Sequence, residues 1–183
     1  VSNVHVSAGT AQERLSLGDA RLYLATVAMV VGNVALPALV HGIPNGGRIF
    51  LPIFFFTLLA GWRFGLYAAL FTAVLSPLAS HALTGMPGTP ALPSIIAQSA
   101  LLGALAALVA ARGRKTTVAL LALVVLVHQA IILSPVALES GLQAALAAFR
   151  MRLPGVAFQI LGGFLALRLM ERWLPMPGQA THE

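Results

Sequence analysis

Long apolar runs alternate along this chain with short turns rich in glycine and proline. The runs predict membrane-spanning helices at about 21–40, 48–61, 63–82, 93–111, 116–134 and 154–174. The second run is short. It opens at Gly46-Gly47-Arg48 and contains Pro52, which predicts a tilted, broken or only partly crossing helix. Polar tails are expected at 1–20 and 175–183, leaving 21–174 as the helical domain.

Composition turns these runs into a class. Apolar residues make up 58% of the chain, charged residues 9%, and the mean hydropathy is +0.90, all far from a water-soluble domain. Each crossing of a hydrocarbon core takes about 20 apolar residues. The expected fold is therefore an all-α integral membrane bundle of about six transmembrane helices, with no room for a second folded domain.

The net charge of +6 and a pI near 11.4 do not mark a nucleic-acid binder, because the basic residues sit singly at the ends of apolar runs. They set orientation instead. With the N-terminus inside, Arg14, Arg21, Arg63, Arg112, Arg114, Lys115, Arg168 and Arg172 fall on the inner side, and only Arg48, Arg150 and Arg152 on the outer. Both termini are then cytoplasmic, in a multi-pass protein of the cytoplasmic (inner) membrane. The segments 42–47, 83–92 and 135–153 become outer loops.

Several chemistries lack their residues. Cysteine is absent, and of five acidic residues only Glu139 lies away from the tails and the last helix end. Neither a thiolate metal site nor a paired carboxylate for proton coupling can be assembled, and no metal or cofactor is expected. Gly113-Arg114-Lys115-Thr116 resembles the end of a phosphate-binding loop without its full spacing. His128 with Ser76 or Ser80 is the one pairing that suggests an intramembrane hydrolase, and neither serine stands in a G-x-S setting.

What remains is a set of neutral polar side chains at membrane depth: Asn33, Gln98, His128, Gln129 and Gln159, with His41, His81 and Thr84 nearer the outer surface. Facing lipid would be costly, so they are expected to face the bundle interior. Each serves either packing or a ligand; spread over several helices, they suit a small polar solute. Arg48, Arg150 and Arg152 offer guanidinium groups to planar anions or to lipid phosphates. Phe54, Phe55 and Phe56 offer an aromatic wall or a lipid face. The proline- and hydroxyl-rich corner from Leu75 to Pro87 is where backbone groups leave the helical ladder and need other partners.

Small residues form two helical stripes, Ala25, Ala28, Gly32 and Ala35 on the first span and Ala100, Gly103, Ala107 and Ala111 on the fourth. Such faces allow close helix approach, either within the bundle or to a separate subunit.

In order along the chain, Gly47-Arg48-Ile49-Phe50-Leu51-Pro52, Leu58-Leu59-Ala60-Gly61, Ser76-Pro77-Leu78, Leu83-Thr84-Gly85-Met86-Pro87 and Leu153-Pro154-Gly155-Val156 with Gln159 resemble the substrate-binding S-components of energy-coupling factor (ECF) vitamin importers. The likeness lies with the branch labelled pantothenate or hydroxymethylpyrimidine and covers roughly 25–174. It implies a six-helix bundle that binds a vitamin or vitamin-like small molecule from outside, with a transmembrane scaffold subunit and two cytoplasmic ATPases as partners. It also implies a solute site drawn from Asn33, Arg48, Phe54, His81, Thr84, Met86, Gln98, His128, Gln129 and Gln159, and scaffold docking through Ala25, Ala28, Gly32 and Ala35. Phe54 and Phe56 stand where that branch often has histidine and proline, and Gln98 where it often has glutamate, which implies a less charged, more aromatic pocket. A non-transporting membrane scaffold and an intramembrane enzyme are the alternatives.

Overall fold

The computed structural model describes residues 14–40, 52–113 and 115–173, and these are helical with no strand among them. Helix α1 spans Ala20–Val40. A 3-10 turn at Pro52–Phe54 leads into α2, Phe55–Phe64, and α3 follows at Leu66–Thr84. After a second 3-10 turn at Thr89–Ala91 come α4, Leu92–Ala110, and α5, Val118–Ser140. The chain closes with α6, Leu142–Ala157, a π-helical turn at Phe158–Gly162 and α7, Gly163–Trp173. Among the described residues five helical segments are long and apolar enough to cross a membrane, the make-up of a multi-pass membrane protein; Pro52–Phe64 is a shorter apolar helix.

The short helix is the axis of the fold. Eight of the ten residues of α2 are buried, and α1, α3, α4 and α7 pack around it. A helix with apolar residues around most of its surface has no face that must meet water, and the buried Thr57 and Arg63 favour protein neighbours over lipid. Helix α5 lies against α4, and α6 lies mainly against α5.

Two glycines let the central helices approach. A Cβ on Gly61 would run into the carbonyl oxygen of Gly103, and a Cβ on Gly103 would stand 2.8 Å from the Ala69 Cβ and 3.0 Å from the Thr57 methyl. The stripe on the fourth span is thus used at Gly103 and Ala107, both buried, for packing inside the bundle. The turns follow from backbone chemistry. Gly65 at φ +94° ends α2, and Gly141 at φ +85° separates α5 from α6, conformations that side-chain-bearing residues rarely hold.

Three expectations need correction. The outer loop at 135–153 is helical. Pro135 cannot donate to the carbonyl of Ile131, but the Ser134 hydroxyl donates to that oxygen at 2.8 Å, and α5 continues to Ser140. The last span accordingly begins at Leu142 rather than 154. Arg63 does not open the third span, expected at 63–82; it is in the last turn of α2 and only 2% exposed. Of the tail drawn at 1–20, residues 14–19 pack onto the bundle, with Leu15 buried and its N–H donating to the Phe64 carbonyl at 3.3 Å. The outer segment 42–47, His41, Arg48, Arg114 and the tail at 175–183 lie outside the described residues.

Candidate functional site

Two groups of polar side chains at membrane depth have opposite hydrogen-bond status, and the hydroxyls of Thr26 and Thr72, also buried, find no partner among the described residues. In the first, every amide proton of Asn33 is used. Its Nδ2 donates to the Thr57 hydroxyl at 3.1 Å and the Ser76 hydroxyl at 3.0 Å, and its Oδ1 accepts the Phe56 backbone N–H at 3.0 Å. Ser99 donates to Thr57 at 3.0 Å. The four side chains come from α1, α2, α3 and α4 and are all fully buried. Phe56 lies in the first turn of α2, where backbone N–H groups lack partners within their own helix; Asn33 supplies one from a neighbouring helix. This group is a closed knot that pins four helices together, and it holds the Ser76 hydroxyl on Asn33.

The second group is open. His128 sits about 15 Å into α5, near the middle of a hydrocarbon core, and its Nε2 pairs with the carbonyl of Gln98 at 3.0 Å. Among the described residues its Nδ1 has no hydrogen-bond partner, nor do the amide nitrogen and oxygen of Gln129 or of Gln159. All three side chains are at most 1% exposed. The π turn carrying Gln159 packs against α5, the helix of His128 and Gln129. Aromatic rings border this region: Phe54 meets the His128 ring edge-on at 6.0 Å, and Phe55 stacks on Phe158 at 4.5 Å. A π turn is a costly departure from α geometry that recurs at functional sites, and here it carries a buried amide.

The remaining expected contacts do not join this group. The Gln98 side chain is half-buried and donates to Ser94 of its own helix at 2.8 Å; only its backbone carbonyl reaches His128. His81, Thr84 and Met86 build the turn after α3. The His81 Nδ1 lies 2.8 Å from the Pro87 carbonyl, Thr84 donates to the Ser80 carbonyl at 2.7 Å, and the Met86 N–H donates to the Thr84 hydroxyl at 3.2 Å. The Leu75–Pro87 corner thus answers its own backbone groups with side chains from the same turn. Asn33 belongs to the closed knot and Arg48 lies outside the described residues.

The docking stripe on α1 is divided. Ala28 and Ala35 are exposed, whereas Gly32 is covered by the Phe56 ring, whose tip would stand 2.6 Å from a Cβ at that position.

A third polar chain joins α2, α7 and the residue two before α5 at one end of the bundle, and had no signature in the sequence. The Trp62 indole N–H donates to the Thr116 hydroxyl at 3.0 Å, and that hydroxyl donates to the Glu171 carboxylate at 2.7 Å. Arg168 pairs with Glu171 at 3.4 Å. Thr57 and Ser99 were likewise missed, because small hydroxyls in apolar helices usually bond their own backbone.

Against known proteins, the chain matches no family model, no curated protein and no solved structure.

Proposed function

We propose that this chain is the solute-binding membrane subunit of an ECF-type importer, a six-span bundle of the cytoplasmic membrane with both termini inside. It would take a vitamin-like molecule from outside and deliver it inward with a transmembrane scaffold and two ATPases. The observation that carries this reading is the contrast between the two buried polar groups. Helix packing alone accounts for Asn33 and its partners, which satisfy one another. It does not account for His128 Nδ1 and the amides of Gln129 and Gln159, since a buried polar group without a partner costs about 1–3 kcal/mol. A ligand with complementary donors and acceptors recovers that cost on binding. The ordered sequence elements shared with S-components point the same way.

The test is a thermal-shift screen of the detergent-purified protein against water-soluble vitamins and their precursors. A ligand at 100 times its Kd adds about 2.7 kcal/mol, so one chemical class should stand out. The shift should disappear in Gln159→Ala and persist in Ser99→Ala. A flat panel, with no small molecule retained through purification, would overturn the proposal in favour of a non-transporting scaffold.

A further inference from the structure

Arg152, one of the guanidinium groups that the sequence offers to planar anions or lipid phosphates, lies within helix α6. Within α6 it occupies a defined helical face. Arg152, Gly155, Val156 and Gln159 follow at offsets of three, four and seven, the spacing of a single stripe. Gly155, Val156 and Gln159 are buried, and Arg152 is half-buried at the outer end of the stripe. Helix α6 and the π turn that carries Gln159 both pack on α5, the helix of His128 and Gln129. No hydrogen bond or ion pair joins Arg152 to any described residue, while Arg63, the most buried of the described arginines, is engaged by its surroundings.

Resting on the solute-binding reading above, we infer that the solute carries a carboxylate, held by Arg152 at the outer end of the α6 stripe, with its neutral polar body reaching inward to His128, Gln129 and Gln159. The chemistry fits a planar anion: a guanidinium offers two parallel N–H donors to a carboxylate and has no acceptor of its own. A half-buried arginine without a counter-ion is a poor folding element, because its charge is partly desolvated without the attraction that offsets it. The amides further in supply both donors and acceptors, matched to a neutral group such as an amide or ring nitrogen. One end of the ligand is thereby assigned a charge and the other a neutral polar character.

The experiment uses the full chain in detergent and matched acid and neutral probes: nicotinate with nicotinamide, pantothenate with pantothenol, benzoate with benzamide. The expected result is a rise in Tm with an acid and little with its neutral partner. Arg152→Gln should weaken the acid by about 30-fold or more, as for a charge stripped from a buried pair. Arg152→Lys should recover part of the response, and Arg112→Gln none of the loss. Equal shifts from acids and neutral partners, lost in Gln159→Ala but kept in Arg152→Gln, overturn the inference and leave the solute-binding reading standing. No shift with any probe or vitamin overturns both. If anionic lipid added to the micelle gives the only Arg152-dependent shift, the guanidinium is a headgroup anchor and the inference fails.

Discussion

Gly61 and Gly103 meet backbone to backbone where α2 crosses α4, with no side chain between them. A methyl group on Gly61 points at a carbonyl oxygen, which cannot swing aside as a side chain can. Gly61→Ala should therefore cost more than the 1–3 kcal/mol of ordinary overpacking. A Tm in detergent within about 2 °C of wild type, less than the shift expected from 1 kcal/mol in a chain of this size, would show that the helices separate cheaply.

The Asn33 knot gives a graded prediction. Asn33→Leu removes three hydrogen bonds; at the ~0.6 kcal/mol typical between helices in lipid, the loss is about 2 kcal/mol. Ser99→Ala removes one and should lose less than half as much. Equal losses in denaturant titrations of the two variants would mean that the knot does not act through its bonds.

Gln159 should show the opposite sign. Its amide is buried without a partner, so Gln159→Met, similar in shape and apolar, should raise the apo stability by about 1–3 kcal/mol. The same variant should lose its response to solute. A residue kept for packing would give the reverse, a fall in Tm with nothing else changed.

Thr116 links α2 to α7, accepting from Trp62 and donating to Glu171 through one hydroxyl. Thr116→Val keeps the shape and removes the hydroxyl that accepts from the indole N–H and donates to Glu171, at a cost of about 1–3 kcal/mol. Only two tryptophans are present, so in a Trp173→Phe background the emission of Trp62 reports the change directly: a blue shift on losing its hydrogen bond.

The two halves of the α1 stripe should behave differently on enlargement. Ala28→Leu adds bulk to an exposed position and should leave Tm unchanged while blocking co-purification with a scaffold subunit. Gly32→Ala must displace the Phe56 ring and should lower Tm by itself. Intact co-purification of Ala28→Leu would remove that face from the docking surface.

Helices α1, α3 and α4 were legible almost to their ends because their apolar runs are unbroken and their stops are glycines and prolines. The segment from Pro135 to Leu153 was not, because Glu139, Gln143, Arg150 and Arg152 dilute its hydropathy and Pro135 reads as a terminator. Only the structure reveals that Ser134 covers the carbonyl Pro135 leaves open. At the candidate site, the burial of Asn33, His128, Gln129 and Gln159 followed from the expense of polar groups in lipid. Which of them were already paired did not, since partners such as Thr57 and Ser99 carry no pattern that separates a cross-helix bond from a local one. The helical register of Arg152 with Gly155, Val156 and Gln159 was hidden by the same misreading that turned its helix into a loop.

The enclosure of α2 has a consequence for the membrane around it. Its ten residues rise only about 15 Å, half a hydrocarbon thickness of about 30 Å, yet almost none of its surface meets lipid. Hydrophobic mismatch, which tilts or bends a helix to suit the local bilayer, is therefore borne by the outer helices alone. They can adjust to thinner or thicker bilayers around an axis whose length the bilayer does not set.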